Sequence, residues 1–317
     1  MAGIALITGI TGFVGSHLAE YPLKEGLEVY GTVRHKSSRD NIEHIEDKLR
    51  LIEADVRDAR RLERAIRESK PDYIFHLASA SSVFESWKAP VEVMETNIIG
   101  TVHLFEAIRK SGIDPKVQVA GSSEEYGMVY PEELPVKETN ALRPLSPYAV
   151  SKVAQDRLSY QYHKSYGLKV VVTRTFNTTG PRRPAIYVTS NFAKQIAEIE
   201  KGKKPIIYVG NLDTRRDFSD VRDIVRAYWL ALQRCQPGEV YNICSEKAKT
   251  IREVIDLLLY LVNRSIKIKQ NPSRMRPADI AVMQGDCTKF KEQTGWEPKI
   301  AFEKTMADLL DYWRARV

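Results

Sequence analysis

The segment IALITGITGFVGSHLAE, residues 4–20, decides the fold of this 317-residue chain. Its first five residues are typical of a buried strand, and the amphipathic pattern from Phe13 onward predicts a helix. Gly9, Gly12 and Gly15 lie between the two elements, where glycine lets the backbone approach a pyrophosphate at the helix N-terminus. A purely structural glycine turn is the alternative. The context of strand, turn and helix favours the first unit of a dinucleotide-binding domain.

The first half of the chain repeats this alternation of apolar strands and amphipathic helices. Continuously apolar strands separated by helices are typical of a doubly wound parallel sheet. After Phe176 the pattern loosens into loops rich in Pro and Arg around shorter helices. We expect an α/β fold in which residues 1–176 form a Rossmann-type domain and residues 177–317 form mainly a smaller mixed α/β lobe, with later segments returning to the first domain. Further strands are predicted at 28–33, 49–56, 73–79, 117–121 and 169–175, and helices at 59–68, 91–110 and 148–166.

Composition limits the classes of partner. The chain has 48 Lys and Arg residues against 41 Asp and Glu residues, a formal net charge of +7 that suits a polyanionic ligand or a scattered basic surface. No basic stripe alternates with aromatic residues, so nucleic acid is not expected. Cys235, Cys244 and Cys287 are far apart and lack metal-ligand spacing, which predicts free thiols, no metal site and a reducing, cytoplasmic location. No apolar stretch is long enough to cross a bilayer.

The end of the second predicted strand bears on the choice of cofactor. Arg34 stands there, with Lys36 and Arg39 nearby and no acidic residue before Asp40. An acidic residue at this position favours NAD, whereas arginine accommodates the 2′-phosphate of NADP. We therefore predict NADP, although a solvated basic loop would leave the choice open. Asp55, at the end of the third strand, is predicted to contact the adenine.

The segment SPYAVSK, residues 146–152, places Tyr148 and Lys152 one helical turn apart on the same face. A phenol has a pKa of about 10, and a nearby ammonium lowers it, so this pair predicts a tyrosine base. Ser122 ends a predicted strand 26 residues earlier. The residues expected to hold the cofactor are Gly9, Gly12, Phe13, Val14, Gly15, Arg34, Asp55, Val56, Leu77, Ala78, Ser79, Tyr148 and Lys152. His76 lies within an apolar strand and is expected to be a core histidine with satisfied hydrogen bonds.

These motifs together resemble the extended short-chain dehydrogenase/reductases over essentially the whole chain. The resembling segments are TGITGFVGSHLAE (8–20), ADVRD (54–58), PDYIFHLAS (71–79), TNIIGT (96–101), GSSEEYG (121–127), SPYAVSK and RTFNTTGP (174–181). Longer segments are similar to GDP-mannose 4,6-dehydratases, namely VRHKSSRDNIEHI (33–45), GNLDTRRDFSDVRDIVRAYWL (210–230), RPAD (276–279) and QGDCTKFKEQTGWEPK (284–299).

This resemblance implies roles for individual residues. Ser122, Glu124, Tyr148 and Lys152 are implied to be catalytic, with Tyr148 accepting the C4 hydroxyl proton and Glu124 moving protons between C5 and C6 during loss of water. Glu125 occupies a position that is apolar in related dehydratases, so we expect it in solvent or packing and without a chemical role. Asn97 is expected to support the active-site helix. Ser122, Asn177, Arg216 and Arg276 are implied to bind the GDP-sugar, whereas Arg182 and Arg183 could equally belong to a solvated loop.

Several functions stay open at this point. The chain is shorter than typical GDP-mannose dehydratases and also resembles the GDP-4-keto-6-deoxy-mannose reductases, which keep a carboxylate in the GSSEEYG motif. We predict the dehydratase, with the reductase or a bifunctional enzyme as alternatives. Arg34 and Glu124 argue against a 4-epimerase, whose usual arrangement uses NAD and has no carboxylate here. The intact Tyr148 and Lys152 argue against a non-catalytic NADP-binding protein, which typically loses one of them. The family's usual helices, 91–110 and 148–166, imply a homodimer, and the loop 34–45 would support a homotetramer.

Overall fold

The computed structural model describes residues 3–262, 264–272 and 280–317. Within these ranges the strands are β1 (Ile4–Thr8), β2 (Glu28–Val33), β3 (Leu49–Glu53), β4 (Tyr73–His76), β5 (Lys116–Ala120), β6 (Lys169–Thr175), β7 (Asn177–Thr179), β8 (Ile206–Val209), β9 (Arg215–Asp220), β10 (Val240–Ile243), β11 (Ala248–Thr250), β12 (Lys267–Gln270) and β13 (Val282–Met283). The α-helices are α1 (Phe13–Lys24), α2 (Ala59–Ser69), α3 (Val83–Ser86), α4 (Pro90–Met94), α5 (Gly100–Ser111), α6 (Pro147–Tyr166), α7 (Val188–Glu200), α8 (Val221–Arg234), α9 (Ile251–Tyr260), α10 (Thr288–Thr294) and α11 (Phe302–Arg314).

Seven of the described strands form a parallel sheet in the order β3-β2-β1-β4-β5-β6-β10. The strand order reverses between β1 and β4, and ligands of open α/β sheets bind at such a switch point, beyond the carboxyl ends of the strands. The predicted Rossmann-type sheet is confirmed. The predicted site residues at the ends of β1, β2, β4 and β5 therefore meet at one edge.

Alternating side chains of the central strands fill two separate cores, one on each face of the sheet. Ile7 and Val171 pack in the core that contains α1 and α8, whereas Leu6 and Val170 pack in the core that contains α5. Because both faces of these strands are buried, their sequences are apolar without a period of two. This double coverage explains why the runs at 4–8 and 169–175 identified the fold.

The smaller lobe has a core of its own, built from α7, α9 and α11 around β8 and the apolar side chain of Phe218 on β9. The strand β9 pairs with β7, β11 and β13, and β8 pairs with β12. The strand β10 instead pairs with β6 of the main sheet, and α10 packs against β10. The chain thus returns from the lobe to the main sheet with α8, which packs against α1, and with β10.

Three predicted elements differ from the structure, and the first is the strand predicted at 73–79, which ends at His76. The helix predicted at 91–110 consists of α4, a π-helical turn at Glu95–Ile99 and α5. The strand predicted at 49–56 ends at Glu53, because Ala54 to Asp58 form the loop that leads into α2. No helix of the described residues is long and apolar enough to span a membrane.

Two buried histidines make stability depend on pH. His76 has Nδ1 2.9 Å from Thr8 Oγ1 and Nε2 3.0 Å from Thr101 Oγ1, so the predicted core histidine is confirmed. His17 Nε2 donates to the carbonyl of Pro181 at 2.9 Å. Burial lowers the pKa of His17 to about 4 and that of His76 to about 3. The folded protein therefore keeps both rings neutral at pH values where the unfolded chain protonates them.

We expect the His17→Gln protein to lose less stability than the wild type as the pH falls. As the pH falls from 6.5 to about 4, the unfolded chain binds a proton at His17 that the folded chain does not, so the free energy of unfolding falls. That contribution is on the order of 3 kcal/mol, and glutamine removes it while its amide still donates to Pro181. Urea titrations of both proteins across this range measure it, with the exposed His35→Gln as control. Equal pH slopes for wild type and His17→Gln would contradict the account.

Candidate active site

A cleft of about 840 Å³ lies at the carboxyl edge of the main sheet, between the sheet and the smaller lobe. The predicted site residues in the described part of the chain all line it. They are Gly9, Gly12, Phe13, Val14, Gly15, Arg34, Asp55, Val56, Leu77, Ala78, Ser79, Ser122, Glu124, Tyr148, Lys152, Asn177 and Arg216. Arg276 falls outside the described residues.

The glycine turn forms one end of the cleft. Gly9 has a φ of 73°, a conformation that favours glycine, and its carbonyl accepts from Gly12 N–H at 3.0 Å. A Cβ on Gly15 would lie 2.3 Å from Gly9 O, so only glycine fits there. The N-cap of α1 is Gly12, which has no side chain to occupy the first-turn amides. The residues therefore fit a diphosphate at this helix N-terminus.

The next section of the cleft is bordered by charged groups at the ends of β2 and β3. Asp55 accepts from Arg57 through Nε at 3.1 Å and Nη2 at 2.8 Å, and this pair with Arg57 holds the pKa of Asp55 below its usual range. Arg34 is exposed directly after β2 and adds to the same effect. Asp55 thus stays ionised beside two guanidinium groups, an arrangement that fits an adenosine carrying a 2′-phosphate.

Asn97 joins the loop after β4 to helix α6. Its Oδ1 accepts from Ser79 Oγ at 3.0 Å and Ala80 N–H at 2.8 Å, and its Nδ2 donates to Ser151 Oγ on α6 at 2.8 Å. Asn97 belongs to the π-helical turn, and such turns are frequent at functional sites. These bonds are the support for the active-site helix that the resemblance implied.

Tyr148 and Lys152 extend from α6 into the middle of the cleft. Lys152 Nζ lies 5.7 Å from the Tyr148 ring centroid and donates to Ala120 O at 2.8 Å. Burial lowers the pKa of Lys152 to about 8. Burial also raises the pKa of Tyr148, against an opposing hydrogen bond with Ser122. The pKa of Tyr148 thus lies above its ordinary value and not below it as the neighbouring Lys152 had predicted, because burial of the phenol is the largest effect.

Glu124 and Glu125 occupy very different surroundings, although both belong to a short 3-10 turn after β5. Glu124 is half-buried and lines the cleft beside Ser122 and Tyr148, and its backbone N–H donates to Ser122 Oγ at 3.2 Å. Glu125 is fully buried and pairs with Arg174 at 3.0 Å. Of the two expected surroundings of Glu125, solvent is thus wrong, and the side chain is packed inside the protein, in a buried ion cluster outside the cleft.

The far end of the cleft is formed by the smaller lobe. Asn177 begins β7, and Arg216 lies on β9 with its Nη1 donating to Arg215 O at 2.9 Å and Ile280 O at 2.6 Å. These bonds fix the guanidinium of Arg216 at the cleft wall. Asn177 and Arg216 thus line the cleft from β7 and β9, whereas the glycine turn lines it from the main sheet.

The chain with this cleft also matches the model of a known protein family. The model described as GDP-mannose 4,6 dehydratase matches residues 6–309.

The chain belongs to the GDP-mannose 4,6-dehydratase family.

Relatives named for two different activities resemble this member of the GDP-mannose 4,6-dehydratase family. GDP-mannose 4,6 dehydratase 2 of Arabidopsis thaliana is 36% identical, with 97% of this chain and 86% of the relative covered. GDP-6-deoxy-D-mannose reductase of Pseudomonas aeruginosa is 32% identical, with 98% and 97% covered. The solved structure of RMD from Pseudomonas aeruginosa complexed with NADPH superposes with a TM-score of 0.86 at 30% identity, covering all of both chains.

Two further residues line the cleft of this family member. The sequence left Arg183 open between a substrate contact and a solvated loop, and it did not predict Tyr187 as a site residue. The guanidinium of Arg183 lies 4.1 Å from the ring centroid of Tyr187 and 5.4 Å from that of Phe13. Tyr187 OH lies 2.8 Å from Ser81 Oγ. Arg182, by contrast, pairs with Glu20 at 2.7 Å. The PRRP motif was the available signal, but it does not show which arginine turns inward, and the structure places Arg183 rather than Arg182 in the cleft.

Proposed function

We propose that this protein converts GDP-mannose to GDP-4-keto-6-deoxy-mannose and water with NADP as a resident cofactor. The observation that carries this proposal over a reductase is the match of residues 6–309 to the family model described as GDP-mannose 4,6 dehydratase. The carboxyl group that an elimination needs is present as Glu124, in the same cleft as Ser122, Tyr148 and Lys152. A simple dehydrogenase requires only the last three residues. The Glu124 carboxyl group beside them supports an elimination, which needs its own base and acid.

The chain's residues divide the reaction between them. Tyr148, hydrogen-bonded to Ser122, takes the proton of the C4 hydroxyl, and Lys152 holds the cofactor ribose and the local charge. NADP, when bound along the glycine turn and Arg34, would accept the C4 hydride and later return it to C6, and the positive charge of its oxidised ring favours the phenolate. The C4 ketone acidifies the C5 hydrogen. Glu124 removes that proton and then donates it to the departing C6 hydroxyl, which leaves as water. As the hydride returns to C6, Tyr148 donates to C5 the proton that it took from the C4 hydroxyl, so both residues regain their starting protonation states.

An isotope experiment tests this division. GDP-mannose carrying deuterium at C4 is incubated with the protein and NADP, and the product is examined by mass spectrometry and NMR. Because the hydride returns to the same sugar, we expect the deuterium at C6 and no net reduction of the cofactor. A product without deuterium at C6 would refute the proposed cycle.

A reductase acting on the 4-keto sugar is the second candidate. The observation in its favour is length, since the chain covers 97% of the Pseudomonas aeruginosa reductase but 86% of the Arabidopsis dehydratase. A reductase would oxidise NADPH in proportion to the keto sugar added. Glu124 would then be dispensable for turnover, whereas Tyr148 would not.

Arg34→Leu is expected to weaken binding of NADP about 10- to 100-fold and to leave binding of NAD unchanged. Hydrogen bonds to charged groups contribute about 1.5–3 kcal/mol, which corresponds to that range. Titrations of the purified protein with both dinucleotides measure the two dissociation constants. Arg50→Leu, a substitution of an exposed arginine on β3 outside the cleft, serves as control. An equal loss for NAD and NADP would show that Arg34 does not contact the 2′-phosphate.

We further infer a cytoplasmic homodimer formed through α4 to α6. Four apolar side chains on these helices and the π-helical turn, Val91, Ile99, Val150 and Tyr160, are more than 40% exposed, which supports a covered face. The loop 34–45, which would reach a second subunit in a tetramer, makes contacts within its own chain. Asn41 Nδ2 donates to Thr11 O at 3.0 Å, and Ile42 is buried.

The cysteines are free and not paired in disulfides, which supports a reducing compartment.

A further inference from the structure

A cluster of buried charged side chains packs against the 3-10 turn at Ser123–Glu125. Arg174 on β6 donates from Nε to Glu125 Oε2 at 3.0 Å and from Nη2 to Asp156 Oδ2 at 2.6 Å. Its Nη1 donates to Tyr126 OH at 3.2 Å, and Tyr126 OH donates to Asn242 Oδ1 at 2.6 Å. All five side chains are buried. The cluster thus links the turn after β5 to β6, α6 and β10.

One bond connects this cluster to the residues that line the cleft. Glu125 Oε1 accepts from the backbone N–H of Ser122 at 2.8 Å, and Ser122 Oγ in turn accepts from the backbone N–H of Glu124 at 3.2 Å. Glu125 itself does not line the cleft, whereas Ser122 and Glu124 do. The Glu125 carboxyl group therefore lies outside the cleft. Its bond to the Ser122 N–H closes the turn from which Ser122 and Glu124 line the cleft.

The space for this carboxylate depends on Gly121. A Cβ on Gly121 would lie 2.7 Å from Glu125 Oε1 and 3.1 Å from Thr173 O. Burial and Asp156 raise the pKa of Glu125, while Arg174 opposes them, so the site is costly to ionise. Removing one partner of such a buried ion pair destabilises a protein. Replacing the whole pair by well-packed apolar residues, however, often leaves stability unchanged, so stability alone does not explain the pair. A role in the geometry of the turn explains why a carboxyl group is present here.

We propose that Glu125 is a positioning residue for the reaction, which fixes Ser122 and Glu124 through its bond to the Ser122 N–H. This proposal rests on the proposed function for its kinetic consequence, although not for its structural one. In this chain the acceptor oxygen of Glu125 holds the turn, whereas related dehydratases have an apolar residue at this position. Glutamine keeps an acceptor at this position, and leucine, which has a similar volume, does not.

Kinetics of Glu125→Leu and Glu125→Gln test the proposal. We expect Glu125→Leu to lower kcat on GDP-mannose about 100-fold, the loss that a displacement of about 1 Å causes, with KM changed less than about threefold. Glu125→Gln should recover most of the lost kcat. Asp223→Leu is the matched control, because Asp223 is a buried carboxylate that accepts from Lys299 N–H at 2.8 Å outside the cleft. An Asp223→Leu protein that loses kcat as much as Glu125→Leu would show that Glu125 acts only through stability.

Amide hydrogen exchange of residues 121–127 tests the same proposal without any substrate. We expect exchange at the Ser122 N–H to accelerate at least about tenfold in Glu125→Leu, since its acceptor is lost, and to stay near the wild-type rate in Glu125→Gln. Unchanged exchange in Glu125→Leu would overturn the proposal even if the enzyme dehydrates GDP-mannose. Accelerated exchange in a protein that does not act on GDP-mannose would overturn only the proposed function. If Glu125→Leu does not fold, Arg174→Lys, which loosens the grip on Glu125, is expected to change exchange in the same direction, and an unchanged rate there refutes the proposal.

Discussion

Replacing Glu124 by glutamine is expected to lower kcat for loss of water from GDP-mannose about 1,000-fold. General acid–base catalysis contributes about 10²–10⁴-fold, and Glu124 is assigned both the removal of the C5 proton and the protonation of the C6 hydroxyl. Glutamine keeps the size of the side chain and cannot accept a proton. The backbone bond from residue 124 to Ser122 Oγ is unaffected, so the turn should keep its shape.

The Glu124→Gln protein should still carry out the first half of the reaction. Because Tyr148 and Lys152 are intact, a single turnover is expected to leave reduced nicotinamide and the 4-keto sugar on the enzyme, visible as nicotinamide absorbance. Glu132→Gln, at an exposed residue outside the cleft, is the matched control and should retain the wild-type rate. A Glu124→Gln protein that dehydrates GDP-mannose at the wild-type rate would remove Glu124 from the mechanism.

Tyr148→Phe is the second substitution with a large expected effect, a loss of about 10³–10⁴-fold in both dehydration and any reduction of the keto sugar. The phenol oxygen is the only atom removed, and the buried ring keeps its packing. Without it, no group takes the C4 hydroxyl proton, so reduced nicotinamide should not form in a single turnover. This is where the two variants differ, because Glu124→Gln stops the reaction after that step.

Binding measurements separate this chemical loss from a structural one. Tyr148→Phe should bind NADP with nearly unchanged affinity, since Lys152 and the glycine turn remain. Tyr166→Phe, at an exposed tyrosine in the last turn of the same helix, is the control and should leave the rate unchanged. Rapid formation of reduced nicotinamide by Tyr148→Phe would mean that another group is the base.

Local spacing explains what could be predicted from the sequence. The interval between Gly9 and Gly15 and the single turn between Tyr148 and Lys152 are properties of a short segment, and the structure places these residues in the cleft. Parallel strands then bring the ends of β1, β2, β4 and β5 to one edge, which explains why residues far apart in sequence met as expected.

Other features depended on contacts between distant elements. Glu125 stands next to Glu124 in the sequence, and only the position of Arg174 on β6 decides that one carboxylate is buried while the other enters the cleft. Arg183 enters the cleft because the rings of Phe13 and Tyr187 enclose it, and no local pattern indicates that. Burial by the surrounding fold likewise raises the pKa of Tyr148, whereas the neighbouring Lys152 had predicted a lower pKa.

The most direct test of the account is an incubation of the purified protein with GDP-mannose and NADP, without any reduced cofactor, followed by mass spectrometry of the sugar nucleotide. The account predicts a product lighter by one water that is trapped by a carbonyl reagent, with no net reduction of NADP. Unchanged GDP-mannose, together with oxidation of NADPH when the 4-keto-6-deoxy sugar is supplied, would contradict it and identify the protein as the reductase.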